Sequence, residues 1–166
     1  DDSCYILPST KTKKLHSSRR DAFRAVNTNP IAEISKDRIN FLNKNYNNEN
    51  RKLKLKLFNE RLKIGILTTH PNMNKDEISC FKNFDGLIIQ GTGIGHIPIE
   101  GKNEEVFDEL KKLKIPKVIV TQSIFGNVNL NIYSTGRKIK DYLIGNYLDL
   151  TLETAFIKLA WLLSNH

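Results

Sequence analysis

The sequence predicts an α/β fold: a small three-layer domain built on a parallel sheet, preceded by the tail of another domain. Two observations carry this. Lys63-Ile64-Gly65-Ile66-Leu67-Thr68-Thr69, Gly86-Leu87-Ile88-Ile89-Gln90 and Lys117-Val118-Ile119-Val120-Thr121 are short, nearly unbroken apolar runs, of the kind found in strands covered on both faces. Between them lie segments with helical spacing, and strand, helix, strand, helix, strand in that order implies parallel pairing through crossovers.

Each element has a local reason. The first helix starts near Asn74-Lys75-Asp76, with Ile78 and Phe81 on one side. The second, Glu104 to Leu113, spaces Val106, Phe107, Leu110 and Leu113 along one face. The last begins near Thr151, a threonine N-cap with Glu153 in the first turn, and is expected to bury Leu152, Ala155, Phe156, Leu159 and Leu162. Ahead of this domain, Cys4 to Leu7 is an apolar patch followed by a turn at Pro8-Ser9, a lysine block and the segment Phe23 to Ile34. From Ser35 to Glu60 the pattern turns polar and irregular, with five asparagines around Tyr46, and the Lys/Leu alternation from Lys52 to Leu57 suggests a strand. The expected division is therefore 1–45 for the tail of the first domain, 46–60 for a linker with a possible strand, and 61–166 for the α/β domain.

Composition narrows the function classes. The chain has 166 residues, 39% of them hydrophobic, with a formal net charge of +8. A basic balance invites a nucleic-acid reading, but Lys, Asn and Ile are spread along the whole chain and no basic stripe interleaved with aromatics stands out. Cys4 and Cys80 sit in no CxxC and near no histidine at metal spacing, so no metal site is implied and a reducing, cytoplasmic location is expected. No apolar run is long enough for a membrane helix. Asp1-Asp2 does not look like a natural start, and the expectation is that the chain lacks its true N-terminus.

Ligands approach open parallel sheets at the carboxyl ends of the strands, which directs attention to three loops. The first holds His70, Pro71 and Asn72; the second is Gly91-Thr92-Gly93-Ile94-Gly95-His96; the third runs Gln122 to Asn127. The glycines match a dinucleotide fingerprint only loosely, because Pro98 and Gly101 interrupt the place where a phosphate-binding helix would start. A sharp turn with positive φ, passing close to another chain or domain, explains them better. His70 and His96 are each isolated from acids and cysteines in sequence. The alternation from Asn127 to Arg137 describes an extended segment with three asparagines on one face, suited to a half-buried strand or loop, or to binding an amide substrate or partner. Lys14, beside Lys13, Arg19 and Arg20, precedes the hydroxylic pair Ser17-Ser18, and its amine could serve as a base if burial or like charge lowered its pKa.

Taken together, Lys14 to Asn27, Gly91 to Pro98, Thr121-Gln122-Ser123, Asn129 to Arg137, and Glu153-Thr154-Ala155 with Lys158-Leu159-Ala160-Trp161 resemble the bacterial-type L-asparaginase superfamily. Within it the chain is most similar to the D-subunit family of archaeal glutamyl-tRNA(Gln) amidotransferases. The resemblance implies an amidohydrolase with a threonine nucleophile, a second threonine, an aspartate and a lysine. Only the lysine is matched here, by Lys14; the Thr-Gly-Gly-Thr and Gly-Thr-Asp motifs have no counterpart in these 166 residues. It further implies ammonia release from glutamine or asparagine, and transfer to an E subunit that amidates Glu-tRNA(Gln). The implied partners are an N-terminal half carrying the threonines and aspartate, a second copy in a homodimer, the E subunit and, indirectly, tRNA(Gln). ATP and Mg are expected on the E subunit and no cofactor on this chain. Asn72 and Tyr133 align near residues that complete a neighbouring protomer's site. A free L-asparaginase in two chains and a non-catalytic assembly module are the alternatives. Two departures stand out: the connection from Lys138 to Leu150 is compressed, and Leu152 takes the usual first-turn proline position.

Overall fold

In the computed structural model, which describes residues 3–43, 52–145 and 149–166, the chain divides into two units, Asp1–Leu55 and Lys56–His166. The first unit is built from short antiparallel strands. β1 (Cys4–Ile6), β4 (Ala32–Ile34) and β5 (Ile39–Phe41) form a sheet in the order β1-β4-β5, while β2 (Thr12–Lys14) and β3 (Phe23–Ala25) form a separate pair. The three-stranded sheet sorts its side chains by register: Tyr5, Glu33 and Asn40 lie side by side across it, and the neighbouring row is Ile6, Ala32 and Phe41. Ala32 is buried, whereas Ile6, Ile39 and Phe41 remain substantially exposed.

β5 falls in a stretch that the sequence pattern reads as irregular. It is only three residues long, and its pairing with β4 supplies what its composition does not announce. The opposite happens from Lys52 to Leu57, where alternation predicts a strand and none forms. Leu53, Leu55 and Leu57 are 91%, 77% and 73% exposed, so none of the described residues covers the alternating apolar face. The asparagine-rich stretch at 44–51 lies outside the described residues.

The second unit follows from the apolar strands. β6 (Ile64–Thr68), β7 (Gly86–Gly91) and β8 (Lys117–Thr121) pair in parallel in the order β6-β7-β8. Successive residues of β7 face opposite layers. Leu87 and Ile89 pack with Ile78 of α1 (Lys75–Ser79), Val106 and Leu110 of α2 (Glu104–Lys112) and Ile139 of α3 (Ser134–Lys140). Ile88 packs on the other face with Val118, Val120 and with Ala155 and Leu159 of α4 (Leu152–Asn165). Both crossover helices, α1 and α2, cover the same face, as a strand order that steps in one direction demands. Each fully buried Leu or Ile contributes about 1.5–3 kcal/mol, more than a typical surface ion pair, so the two apolar layers outweigh the surface ion pairs in this unit's stability.

The helix ends are explained locally. Asn74 caps α1 by accepting from the Asp76 and Glu77 backbone N–H groups, and Glu77 returns a carboxylate to the Asn74 N–H. Thr151 caps α4 through the Thr154 N–H. Ala155 and Leu159 are buried as the periodicity predicts; Leu152 and Phe156 are partly buried against the same cluster, and Leu163 joins it rather than Leu162. α3 is unannounced, because the alternating pattern reads on through Arg137 and so passes over the helix start at Ser134. Ser134 to Arg137 belongs to a helix that buries Thr135, Gly136 and Ile139.

A buried charge joins α1 to α2. Glu109 is 5% exposed, and its carboxylate accepts from Ser79 Oγ (2.9 Å) and Lys112 Nζ (2.9 Å) and pairs with Lys82 Nζ (3.2 Å). These partners, Lys112 foremost, pull its pKa down from the ordinary 4.5 to about 2. A carboxyl depressed by folding stabilises the native state fully above its unfolded pKa and loses that contribution as the pH falls through the folded one. Thermal melts of wild type and Glu109→Gln are therefore expected to differ most above pH 4.5 and to converge between pH 4.5 and 2. A difference in Tm that stays constant across that window would contradict the assignment.

The structure also buries a lysine, Lys117, at the start of β8, where Nζ donates to the carbonyls of Leu113 (2.6 Å) and Ile115 (3.2 Å). Burial, and secondarily Lys114, lowers its pKa. Its bonds satisfy carbonyls just beyond α2, so it serves the fold.

Candidate functional site

In the first unit the β2–β3 pair presents Lys14. The ladder sets Lys14 opposite Phe23, and is continued by Leu15 N–H donating to Ala22 O (2.7 Å) and Val26 N–H to Lys11 O (2.7 Å). The Lys14 amine stands 5.7 Å from the centre of the Phe23 ring. The loop between the strands is organised by two side chains. His16 Nδ1 accepts from the backbone N–H groups of Ser18 (3.1 Å) and Arg19 (3.2 Å). Asp21 receives a two-pronged contact from Arg19 (2.8 and 2.7 Å) and a third bond from Arg24 (2.6 Å), and these guanidiniums, Arg19 first, hold its carboxyl below the usual range.

This geometry differs from the sequence expectation in two respects. Lys14 is exposed, so the burial that would favour a neutral amine is not supplied by the described residues of this unit. Arg19, invoked as a positive neighbour, is engaged by Asp21 instead. Ser17 and Ser18 belong to a turn around His16.

In the second unit the three loops expected at the carboxyl ends of the strands do meet there. Gln122 is the strap. Its backbone N–H donates to Gly91 O (2.8 Å), and its amide Nε2 reaches Gln90 O (2.9 Å) on β7 and Thr69 O (2.7 Å) beyond β6. Thr69, itself buried, donates its hydroxyl to Gln90 O (2.9 Å). Sequence reading placed Gln122 in a loop of interest but gave no signal for this span, which depends on β8 lying two strands from β6.

The glycine-rich loop folds back on itself, with Thr92 N–H donating to His96 O (2.9 Å) and His96 N–H to Thr92 O (2.8 Å). Gly93 at φ +50° and Gly95 at φ +99° occupy backbone conformations that other residues adopt with strain. The close approach expected of these glycines is internal: a Cβ at Gly95 would lie 2.8 Å from Val128, within the same unit. α2 begins only at Glu104 and carries Glu104 and Glu105 in its first turn, an arrangement that repels phosphate. Thr121 donates its hydroxyl to Gly93 O, which ties this loop to β8.

His70, Asn72, His96 and Tyr133 take different places. His70 Nε2 lies 2.8 Å from Glu77 Oε2, and this contact, together with Asn74, draws the Glu77 carboxyl below its usual pKa. The His70–Glu77 pair pins the loop carrying Asn72, which is exposed. Tyr133 is 57% exposed and stands edge-on to His96, with ring centres 6.5 Å apart at 83°. His96 Nδ1 is 3.0 Å from the hydroxyl of Thr135, a buried residue that the sequence did not single out. Of the segment read as a half-buried strand or loop, the loop forms: Val128 is buried and Asn129 N–H donates to Ile94 O (2.8 Å). Among the described residues, no His, Cys, Asp or Glu gather in threes at metal-binding distance, and no helix is long and apolar enough to cross a membrane.

A family model described as the glutaminase/asparaginase C-terminal domain matches residues 63–166. The chain belongs to the glutaminase/asparaginase family. Its similarity to curated proteins extends through both units: it is 37% identical over 172 residues to the D subunit of the glutamyl-tRNA(Gln) amidotransferase of Methanobrevibacter smithii, covering 98% of this chain and 38% of that protein. Its counterpart in Pyrococcus furiosus is 35% identical over 99% of the chain and 38% of its own length. The chain thus spans about two fifths of the curated relatives it matches. Among solved structures, the thermostable L-asparaginase of Thermococcus kodakarensis superposes with a TM-score of 0.80 at 25% identity, over 98% of this chain and 49% of that one. L-asparaginase I of Vibrio cholerae gives 0.83 at 24% identity over 98% and 49%, a likeness of fold. The asparaginase-like α/β fold expected from the sequence is the fold observed.

Proposed function

We propose that this chain is the C-terminal half of an amidohydrolase-type subunit that releases ammonia from glutamine or asparagine for the tRNA-dependent conversion of Glu-tRNA(Gln) to Gln-tRNA(Gln). The observation that carries the reading is the similarity to amidotransferase D subunits along almost the entire chain, including the Lys14 to Phe23 block. The exposed Ile6, Ile39, Phe41 and Phe23 of the first unit support it, since a strand-rich unit with this much uncovered apolar surface suits packing against further protein. That further protein is the N-terminal portion bearing the threonines and aspartate.

In this reading a threonine hydroxyl from the N-terminal portion attacks the side-chain carboxamide carbon as the Lys14 amine takes its proton. The C–N bond breaks, the proton leaves with ammonia, and water then cleaves the acyl-threonine ester to give the free acid. Lys14 needs a dry setting to act as a base, and the N-terminal portion would supply it on assembly. ATP and Mg act on the partner E subunit, a homodimer brings Asn72 and Tyr133 to a neighbouring site, and the assembly works in the cytoplasm.

The test joins this chain to the N-terminal portion and the E subunit and measures Gln-tRNA(Gln) formation with glutamine as nitrogen donor. Product that depends on all three components is the expected result. A second reading, a free L-asparaginase, is favoured by the two asparaginase structures. Strong asparagine hydrolysis indifferent to tRNA and the E subunit would select it, and no hydrolysis by any combination would leave an assembly module.

A further inference from the structure

His96 and Thr135 meet across 39 residues of sequence, His96 brought by the loop after β7 and Thr135 by the first turn of α3. Thr135 is 5% exposed and its hydroxyl lies 3.0 Å from His96 Nδ1. Both partners are anchored. His96 is aimed by its paired backbone bonds with Thr92, and the start of α3 is pressed onto the preceding loop so tightly that a Cβ at Gly136 would sit 2.6 Å from Leu130 O. Arg137 adds bonds from its guanidinium to the carbonyls of Asn131 (2.9 Å) and Ile132 (3.1 Å).

One residue before α3, Tyr133 rests its ring against the same imidazole. Nothing else in this neighbourhood competes for His96 Nδ1 by a described bond. The nearby carboxylate, Glu100, accepts from Lys138 Nζ (2.7 Å) and Ser134 Oγ (3.3 Å) instead. The Thr135 hydroxyl can donate to Nδ1 or accept from an Nδ1–H, and with either direction the bond fixes the plane of the imidazole for contact with Tyr133. An exposed tyrosine otherwise samples several rotamers, and ordering it beforehand favours binding without altering bond-making.

We propose that His96 and Thr135 are a positioning pair that holds the Tyr133 ring at the carboxyl edge of the sheet, and thereby sets affinity for the amide-bearing amino acid. The substrate part rests on the amidohydrolase reading above; the positioning part does not.

Two measurements separate them. In the 166-residue chain itself, NMR of the Tyr133 ring and the His96 imidazole nitrogens is compared for wild type, Thr135→Val and Thr135→Ser. Valine preserves shape but removes the hydroxyl, so the His96 imidazole nitrogen signals are expected to move with loss of the bond and the Tyr133 ring signals to shift towards those of a freely rotating side chain, with serine restoring both. Unchanged Tyr133 signals in a folded Thr135→Val chain overturn the positioning pair, whatever the enzyme does; if valine unfolds the chain, His96→Gln is read the same way. In the assembled enzyme, Thr135→Val is expected to raise KM for glutamine or asparagine about three- to tenfold with kcat within twofold. It is expected to add nothing further on a Tyr133→Ala background. Independent, multiplying effects of the two substitutions, or a fall in kcat at constant KM, overturn the link to affinity. Absence of any amide hydrolysis in the assembled wild type would overturn the amidohydrolase reading and the affinity link with it, with the NMR result still deciding the positioning pair.

Discussion

Lys14→Met in the assembled enzyme is expected to lower ammonia release by a factor of about 10²–10⁴, the usual contribution of a positioned general base. Fold is not the reason. Lys14 is exposed on β2, its interaction with Phe23 is a surface cation–π contact, and substitutions of that kind change stability by roughly 0.5–1 kcal/mol or less. Lys14→Arg sharpens the test, because a guanidinium keeps the positive charge over Phe23 but gives up its proton too reluctantly to act as a base. Both variants should melt near wild type and both should be inactive at saturating glutamine. Turnover within twofold of wild type in Lys14→Met would remove the lysine from the mechanism.

Gly91→Ala is expected to cost the second unit about 2–3 kcal/mol, at the upper end of what overpacking brings. Gly91 ends β7, and a Cβ there would lie 2.6 Å from the carbonyl carbon of Gly95 and 2.8 Å from its Cα. These are backbone atoms of a loop closed by the Thr92–His96 bonds and by Thr121, so no flexible side chain can yield. With about 2–4 °C per kcal/mol for a chain of this size, Tm should fall by roughly 4–12 °C. Gly93→Ala is the control: nothing lies within 4 Å of its Cβ position, and the cost is the left-handed conformation alone, about 1–2 kcal/mol. Equal melting of Gly91→Ala and wild type would mean that the loop is not packed as described.

The parallel sheet was legible because its strands are buried on both faces and so are written as continuous apolar runs. Ile88 and Ile89 serve opposite layers, and each position had to be apolar for its own reason. The helix start near Asn74 and the cap at Thr151 were legible for a local reason, since a helix start needs only residues within one turn. β5 and α3 were not, because three residues of strand and seven of helix take their stability from what they pack against. The Lys/Leu alternation at 52–57 shows the converse: a period of two is a strand signal only where another strand accepts the edge.

The candidate sites divide along the same line. Lys14 was visible through the resemblance carried by its neighbours, and the structure adds the β2–β3 ladder that presents it. The His96–Thr135 contact and the Gln122 strap were invisible, because each joins segments far apart in the chain that come together only once three strands lie side by side. The order of residue types along the chain was enough for the layer architecture and the family, since apolar runs and motif residues are written in the chain itself. Which loops share an edge, that Arg19 serves Asp21, and that Lys14 stands exposed in its own unit emerge only on folding, because they depend on distances between side chains that chain order does not fix.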